Sequence, residues 1–552
     1  MRVRSSVSLA SAFAGLLLVG CQQRQSADLL VTNATVYTAD SAFSTANAFV
    51  VKDGKFLAVG SADELTKQYD ADSTADLGGQ PVYPGFFDPH SHFMGLGQML
   101  DQADLVGAES YTEVVQRLKA FGQKNPQAMW IIGRGWDQND WPATDSPVRG
   151  FPTKALLDAA FPNIPVALTR VDGHALLVNS KALRLAQITG GSKLAGGEVV
   201  LDAQGQPTGV LVDNAMQMVR RVIPQPDDQD KERMLLAAQK MCFSYGLTSV
   251  SDAGLNRNDI ELIERLQKEG KLKIRDYAMI SLGLPNIDYY LKKGPYQTDR
   301  LTVRSFKLYA DGALGSRGAC LRKPYSDRPE TTGFLLLSPT ELERILTQLA
   351  GSGFQANTHC IGDSANHLIL DLYGKLLKTK NDRRWRIEHA QVVSPDDVWK
   401  FNRYSVIPSV QPTHATSDMY WAAERLGSVR VKGAYAFKDL MKQNNVIAFG
   451  SDFPVEAVNP LFGFHSATAR QDAKNFPAGG YQPENAVDRQ SALLAMTRWA
   501  AYANFEDHMR GSIAPGKQAD FVVLNKDIMK APAPELRQTK VLQTWVGGER
   551  VF

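Results

Sequence analysis

The sequence predicts an α/β fold, a (β/α)8 TIM barrel with an inserted subdomain and a small β-sandwich built from the two chain ends. Three observations predict it. Apolar runs alternate with stretches of helical spacing through the middle of the chain, which is typical of βαβ units. Strand-like segments bounded by turn signals stand at both ends. The first barrel connection is too long for an ordinary crossover, and compact domains rarely hold structureless loops of that length.

The first twenty residues have the form of a signal peptide, too short to span a membrane. Arg2 and Arg4 precede an apolar run that ends in Leu-Val-Gly-Cys at Cys21. This ending resembles the lipobox of bacterial lipoproteins, so a lipid on Cys21 is expected. An ordinary secretory signal with a chance cysteine is the alternative. The two glutamines after Cys21 favour the outer membrane, facing the periplasm, as the location of this cell-envelope protein.

The mature chain is predicted to contain three parts. Residues 21–83 carry strand-like runs and an Asp53-Gly54 hairpin signal, and residues 511–552 repeat that pattern with a Gly547-Gly548 turn. These two segments are expected to pair into one sandwich. Residues 84–510 then form the barrel, with an inserted subdomain at about 100–240.

Eight apolar runs in the barrel region are candidates for its parallel strands. They are the run ending at His92 and the segments 246–252, 273–280, 303–311, 353–360, 385–390, 406–411 and 446–452. Active sites of such barrels lie at the carboxyl ends of the strands. The residue at each strand end can therefore be examined for chemistry.

Ligand-type residues stand at these ends. His90 and His92 are two apart, so in a strand both imidazoles point to one face, where they can bind a metal. Two histidines in a polar loop would be the alternative for this pair alone. Four more candidates follow at the ends of the fourth, fifth, sixth and eighth strands, namely Lys307, His359, His389 and Asp452. Four histidines and a carboxylate that converge from different strands predict a metal centre.

At this point the sequence resembles the amidohydrolase superfamily and specifically its amidohydrolase-3, YtcJ-like branch. The resemblance covers nearly the whole mature chain, and the combination of motifs is far more specific than any one of them. The matching motifs lie at residues 84–92, 133–137, 171–174, 311–317, 387–389 and 450–452.

The resemblance implies a hydrolase that depends on one or two divalent metals, with zinc expected. His90, His92 and Asp452 would hold one ion, and His359 and His389 a second. Lys307 would bridge them as a carboxylated lysine, because an ammonium has no lone pair to offer. The alternative is an unmodified Lys307 paired with Asp311 or Asp452. Asp452 would also act as the catalytic base, unless it is only a ligand.

Four further residues are weaker candidates for substrate binding. His174 lies in the insertion, Arg317 follows a glycine-rich turn, Trp136 stands in a tryptophan-rich stretch, and His414 follows the seventh strand. A structural histidine, a salt bridge and aromatic core packing are the respective alternatives for the first three. His367, His465 and His508 are expected to be ordinary.

The predicted function is hydrolysis of a non-peptide C–N bond in an amide, N-acyl or cyclic amide compound by metal-activated hydroxide. A deaminase, an ester or lactone hydrolase, and a non-catalytic solute-binding lipoprotein are the alternatives. Expected partners are a small-molecule substrate and the membrane, and a homodimer is left open. The formal net charge of +3 gives no case for nucleic acid. Cys242, Cys320 and Cys360 are too scattered for a disulfide framework and are expected to be buried and free.

Overall fold

The computed structural model describes residues 24–552, except 139–140, 149, 171–172, 174 and 194–196. The predicted signal peptide, Cys21 and His174 therefore lie outside the described residues. Within the described part, no helix combines the length and the apolar composition needed to cross a bilayer. Cys242 and Cys360 are buried free thiols there, and Cys320 is a half-buried one.

Seven short strands open the described chain and supply the first part of the sandwich. The hairpin turn predicted at Asp53-Gly54 joins the fourth and fifth of them, and both turn residues have positive φ. One sheet has the strand order β5-β4-β1-β6, and a helix precedes β6. The elements are β1 (Gln25–Thr32), β2 (Thr35–Tyr37), β3 (Thr45–Ala46), β4 (Ala48–Lys52), β5 (Lys55–Gly60), α1 (Ala62–Gln68), β6 (Tyr69–Asp76) and β7 (Pro81–Pro84).

The first barrel strand and the inserted subdomain follow. The insertion forms its own mixed sheet, in the order β13-β14-β12-β11-β10-β9, around a core that contains Val114, Leu118, Trp136 and Leu168. The elements are β8 (Phe86–Ser91), α2 (Phe93–Leu100), β9 (Ala103–Asp104), α3 (Tyr111–Lys124), β10 (Ile131–Trp136), α4 (Ala155–Ala160), β11 (Val166–Arg170), β12 (Ala175–Val178), α5 (Ser180–Leu185), β13 (Gly197–Leu201), β14 (Pro207–Asp213) and α6 (Gln217–Arg220).

The rest of the barrel alternates strands with helices. Its helices α7 (Asp228–Ser244) and α8 (Arg257–Lys268) pack on the main core through Leu235 and Ile263. The predicted insertion of about 100–240 therefore extends too far, since α7 belongs to the barrel. The remaining elements are β15 (Leu247–Leu255), β16 (Arg275–Ser281), α9 (Leu284–Lys293), β17 (Tyr296–Gln297), β18 (Leu301–Tyr309), α10 (Pro339–Ala350), β19 (Gln355–Cys360), α11 (Asp363–Leu377), β20 (Arg386–His389), α12 (Val398–Arg403), β21 (Ile407–Val410), α13 (Pro412–Asp418), α14 (Ala422–Arg430), α15 (Phe437–Asn444), β22 (Ala448–Phe449), α16 (Pro460–Ala469), α17 (Arg489–Ala495) and α18 (Arg498–Ala503).

The eight predicted strands pair in parallel in the order β22-β21-β20-β19-β18-β16-β15-β8. The amide of His92 donates to the carbonyl of Phe453, and the amide of Asp452 to that of His90, at 2.8 Å each. Asp88 adds a side-chain link by accepting a 2.6 Å hydrogen bond from the Ser451 hydroxyl. These bonds join the first strand to the segment after the last one and close the ring at the predicted metal ligands.

The C-terminal strands complete the sandwich. They are β23 (Phe521–Leu524), β24 (Val541–Val546) and β25 (Glu549–Arg550), with α19 (Ala533–Leu536) between the first two. β23 pairs antiparallel with β7, where Val522 faces Tyr83, in a sheet of order β25-β24-β23-β7-β2-β3. Residues from both chain ends, such as Phe49 and Phe521, share one core. The predicted fold class is confirmed.

A buried ion pair fastens the barrel to this sandwich. Arg275, on β16, donates from Nε and Nη2 to the carboxylate of Asp520 at 2.7 and 2.9 Å. The side chains are 1% and 5% exposed. Asp520 also accepts from the amide of Gly547 at 2.8 Å. A paired and hydrogen-bonded charge can stay buried without a large penalty, so this contact fixes the position of the C-terminal segment.

We expect Gly450→Ala to destabilise the barrel closure. A Cβ at this position would lie 2.8 Å from both the amide nitrogen and the carbonyl oxygen of His90, and 2.9 Å from Oδ1 of Asp88. The backbone of the first strand would have to move, so we expect a loss of about 1–3 kcal/mol in the free energy of unfolding. Denaturant titration measures it. Gly463→Ala is the matched control, because its added methyl would meet nothing within 4 Å.

Candidate metal centre

Four histidines at the mouth of the barrel share one hydrogen-bonding pattern. In each, Nδ1 faces an oxygen, so Nε2 is the ring nitrogen available to the site. The Nδ1 partners are Glu388 for His90, the carbonyl of Ala253 for His92 (2.9 Å), Gln411 for His389 (2.8 Å) and Glu456 for His414 (3.2 Å). Histidines that bind metals are oriented in this way by outer oxygen acceptors.

The carboxylate of Asp452 lies among these rings. Its Oδ1 is 3.1 Å from Nε2 of His92 and 3.5 Å from Nε2 of His90, and its Oδ2 is 3.6 Å from Nε2 of His414. Oδ1 is buried, yet it has no hydrogen bond in the described structure. Acceptor atoms that converge without a donor between them match the requirement of a cation.

Two trios of ligand atoms result, and Asp452 belongs to both. One comprises His90, His92 and Asp452, and the other His389, His414 and Asp452. Within each trio the ligand atoms lie within 4.8 Å of one another. The first trio contains the residues that the sequence assigns to one ion, whereas the second contains His414 in place of His359.

The backbone at two of these positions adopts the left-handed region, which residues other than glycine rarely occupy. φ is 71° at His389 and 61° at Asp452. His389 is the last residue of β20, and Asp452 follows the end of β22, so both conformations lie at the carboxyl ends of barrel strands. Such conformations cost of order 1–3 kcal/mol each and cluster at functional sites.

Lys307 is buried beside the first trio. Its Nζ lies 3.1 Å from Nε2 of His90, and the residue is 1% exposed. Burial lowers the pKa of Lys307 to about 8, so its neutral amine is more accessible near neutral pH than that of an exposed lysine. Asp311 is not its partner, because that carboxylate accepts backbone amides of Cys320, Ile361 and Gly362.

His359 lies next to His389, with the two ring centroids 4.4 Å apart. Its Nε2 is buried without a hydrogen bond to any described residue and is 3.8 Å from Oδ1 of Asp311. His359 therefore offers one more candidate ligand nitrogen beside His389, although it is not part of the close trio with Asp452.

Burial and charge divide the histidines into two groups. Burial, followed by the charge of Lys307, lowers the pKa of His90 to about 4 and that of His359 to about 3. These rings are neutral at physiological pH, as metal ligands must be. Burial also lowers the pKa of His414, but Asp452 and Glu456 outweigh it and raise the value to about 10. The two carboxylates therefore favour a positive charge at this ring.

Glu388 is a positioning residue. The sequence analysis includes it only within the motif at residues 387–389 and does not predict this role. It is fully buried, accepts a 2.6 Å bond from Nε of Arg386, and contacts Nδ1 of His90. Burial would raise the pKa of Glu388, but Arg386 and His90 lower it to about 2. Arg386 and Glu388 are two residues apart on one strand and therefore share a face of the sheet. That spacing was the sequence signal for their pairing.

The candidates for substrate binding are not all brought to this site. Trp136 is fully buried in the core of the insertion, and its indole N–H donates to the carbonyl of Leu168 at 2.8 Å. A role in the substrate pocket is therefore wrong for Trp136, because no face of the indole reaches solvent. Arg317 makes a two-pronged salt bridge with Asp327 at 2.7 and 3.2 Å. His414 does lie at the centre, and His174 lies outside the described residues.

The donor set fits a divalent metal ion such as zinc. Imidazole nitrogens and one carboxylate are ligands that zinc accepts, and the outer oxygens that orient the rings are in place. Two buried ligand atoms, His359 Nε2 and Asp452 Oδ1, have no hydrogen bond among the described residues, which a bound cation would explain.

Comparisons with known proteins show the family to which the chain is similar. The model of the amidohydrolase family Amidohydro_3 matches residues 73–552. The chain is 33% identical over 544 residues to Protein LONG AFTER FAR-RED 3 of Arabidopsis thaliana, covering 95% of this chain and 92% of that one. It is 25% identical over 547 residues to the N-substituted formamide deformylase of Arthrobacter pascens, covering 95% and 98%.

Among solved structures, an uncharacterized metal-dependent hydrolase of Pyrococcus horikoshii superposes with a TM-score of 0.77 at 30% identity. The superposition covers 92% of this chain and 99% of that one. The similarity extends through the sandwich, the barrel and the insertion, so it concerns the whole architecture and not the barrel alone.

Proposed function

The chain belongs to the amidohydrolase family, and on that premise we propose that it cleaves a non-peptide carbon–nitrogen bond in an amide, N-acyl or cyclic amide compound. Family membership makes it a metal-dependent hydrolase of a small molecule. The observation that carries the metal-activated hydrolysis is the convergence of histidine Nε2 atoms on the buried carboxylate of Asp452, and the deformylase relative supports the choice of a carbon–nitrogen bond. We propose zinc as the ion.

His90, His92 and Asp452 would hold the ion. When bound, it supplies a Lewis acid and a source of hydroxide near neutral pH. Asp452 is placed to do the proton chemistry. Burial would raise its pKa, but the adjacent rings of His414 and His92 hold that pKa well below its ordinary value. The carboxylate is therefore ionised at pH 7, ready to accept a proton from the attacking water and deliver it to the leaving nitrogen.

Lys307 is proposed to be carboxylated. The reaction with carbon dioxide requires the neutral amine, and burial increases the share of that form by lowering the pKa of Lys307 to about 8. The product would be an anion with two oxygens, placed next to His90. The mass of the intact protein measured without acid would test this modification.

N-substituted formamides are the first substrates to examine, because a relative that covers most of the chain is named as a deformylase of such compounds. The name of that relative applies to that protein, and the identity of 25% is low enough for substrate specificity to differ. N-acyl amino acids and cyclic amides present the same carbonyl and leaving nitrogen, so they belong in the same test.

The proposal predicts turnover that depends on metal. Zinc-loaded full-length protein is expected to hydrolyse at least one of the formamides, N-acyl amino acids or cyclic amides. Removal of the ion by a chelator should lower kcat/KM by about 100-fold or more, since the ion contributes several kcal/mol to catalysis. Added zinc should restore the rate, and Asp452→Ala is the inactive control.

Two results would contradict the proposal. Turnover confined to lactones or esters would show that the protein cleaves a carbon–oxygen bond and not the proposed carbon–nitrogen bond. Protein that binds a solute, retains no divalent ion and gains no activity with zinc would instead be a binding protein.

We also propose that the mature chain is a lipoprotein of the outer membrane, attached through Cys21 and facing the periplasm. Labelling of the wild type, but not of Cys21→Ser, with a fatty acid would test that location.

A further inference from the structure

A cleft of about 470 Å³ lies between the inserted subdomain and the barrel. The barrel contributes α2 and the start of α7 to its walls, and the insertion contributes the end of α3 and the start of β10. Its lining includes none of the candidate metal ligands. Small-molecule sites have volumes of about 300–1,000 Å³ and occur preferentially between domains. We propose that this cleft binds a small organic cation, namely an amine carried on an aromatic or apolar body, independently of the reaction at the metal centre.

The position of the cleft follows from the path of the chain. The chain leaves the barrel after α2, where Asp101 and Gln102 line the cleft, and returns to it through residues 223–226, just before α7. α2 and α7 both pack on the barrel core, through Leu96 and Leu235 respectively. A molecule bound between the two crossings would therefore contact both parts of the protein.

Apolar side chains cover the insertion side of the cleft. Phe121, Trp130 and Ile132 are half-buried, because each packs on a core of the insertion and also lines the cleft. Met129, beside them, is 72% exposed. Removing such apolar surface from water is favourable, and the face of an indole is the best aromatic surface for a cation. This wall therefore fits the body of the proposed ligand.

The charged groups in the lining are mostly carboxylates. They are three aspartates and one arginine, which give the lining a formal charge of −2. Arg233 is occupied, because it donates to Asp101 at 3.2 and 3.0 Å and to Asp230 at 2.9 Å. Asp227 is the third carboxylate, and its Oδ1 accepts the amides of Gln229 and Asp230. Its Oδ2 has no hydrogen bond among the described residues, so it is available to an ammonium group.

The helix ends at the cleft favour the same sign of charge. Asp101 and Asn125 are the C-terminal caps of α2 and α3, so the negative ends of two helix dipoles lie at the cleft. The start of α7 has the opposite sign, but its amides are already capped by the side chain of Asp227. The lining therefore favours a cation over an anion.

Neutral oxygen atoms supply further hydrogen-bond acceptors. Asn125 donates from Nδ2 to the carbonyl of Phe121 at 3.0 Å, which leaves Oδ1 as the acceptor on that side chain. Gln98 and Gln102, on the α2 side, carry amides of the same kind. A primary ammonium has three N–H donors, so one carboxylate together with amide oxygens can satisfy it.

The experiment compares probes that share one aromatic body and differ in charge. Full-length protein is titrated by calorimetry with phenethylamine, phenethyl alcohol and hydrocinnamate. We expect the amine to bind, the alcohol to bind about 10-fold more weakly and the carboxylate not to bind, because one charge-assisted hydrogen bond corresponds to about that factor. Raising the salt concentration should weaken binding of the amine but not that of the alcohol.

Asp227→Asn tests the assigned carboxylate while keeping the helix cap. Asparagine caps a helix as well as aspartate does and retains an oxygen for the amides of α7, so only the charge is lost. We expect the affinity for phenethylamine to fall about 10-fold, with an unchanged midpoint of thermal unfolding. Asp228→Asn is the matched control and should bind the amine as the wild type does. Asp228 pairs with Arg265 at 3.0 Å and does not line the cleft.

Two further variants locate the bound amine. Trp130→Ala removes part of the apolar wall, so we expect it to weaken binding of both the amine and the alcohol. Asp452→Ala changes the metal centre, and we expect it to bind phenethylamine with the affinity of the wild type.

Three results would overturn the inference. Absence of amine binding, or equal affinities for the amine and the carboxylate, would show that the cleft does not select a cation. An unchanged affinity in Asp227→Asn would exclude the assigned carboxylate. Loss of amine binding in Asp452→Ala would place the amine at the metal centre. None of these results depends on whether the protein hydrolyses a carbon–nitrogen bond, so the proposed function is decided by its own test.

Discussion

Replacing Asp452 with Asn is expected to lower kcat on the identified substrate by about 10²- to 10⁴-fold, the usual contribution of a general base. The amide keeps the size of the side chain and one oxygen, but it cannot take up the proton of the attacking water. Because that step occurs only in the transition state, we expect kcat to fall far more than KM changes. Steady-state kinetics at saturating zinc measure both.

The same substitution at an exposed carboxylate provides the control. Asp439→Asn removes a surface pairing with Lys442 and should leave kcat unchanged. Zinc content must be measured in both proteins, because Asp452 is also a candidate ligand. Near-normal kcat in Asp452→Asn with full zinc occupancy would restrict Asp452 to holding the ion.

Replacing Arg275 with Met is expected to cost about 3–5 kcal/mol of the free energy of unfolding, because it leaves the buried carboxylate of Asp520 without its cation. The bond between β16 and the C-terminal segment is lost at the same time. Chemical denaturation measures the loss. The double variant Arg275→Met, Asp520→Leu should recover part of it, since an apolar pair has no charge to desolvate.

The ion pair also sets a pH dependence. Burial would raise the pKa of Asp520, but Arg275 lowers it below its ordinary value. The unfolded chain therefore binds this proton more readily than the native one. The contribution is complete above the ordinary pKa of about 3.9 and is lost as the pH falls through the depressed native value. The wild-type advantage over Arg275→Met should shrink in that acid range, and an equal gap at all pH values would contradict this.

The strands of the barrel could be predicted because buried parallel strands are continuous apolar runs. Here the runs at β8, β18, β19 and β20 also carry a ligand-type residue at or next to the carboxyl end. The convergence of His90, His92 and Asp452 follows from that order alone. The boundary of the insertion did not follow, because α7 has the same helical spacing whichever core it packs on.

The partners of the ligands could not be predicted. Glu456 is 42 residues from His414, and Glu388 is 298 residues from His90, so only the folded chain brings them together. The sequence around Arg317 is compatible with an anion-binding residue, but in the folded chain the loop places Asp327 next to it, where the two form a salt bridge. The prediction that Trp136 binds the substrate was wrong for a different reason. A tryptophan next to a glycine-rich motif has the same sequence pattern on a pocket wall as in a core, and its direction depends on the sheet of the insertion.

The antiparallel pairing of β23 with β7 has a consequence for biosynthesis. β7 leads through Gly85 directly into the strand that carries His90 and His92, and its partner is translated long after it. A nascent chain that has not yet reached Phe521 lacks that partner, so stable acquisition of metal is expected to follow the synthesis of β23. A chain that ended before Phe521 would contain every candidate ligand, but β7 would lack the partner strand that fixes the position of His90 and His92.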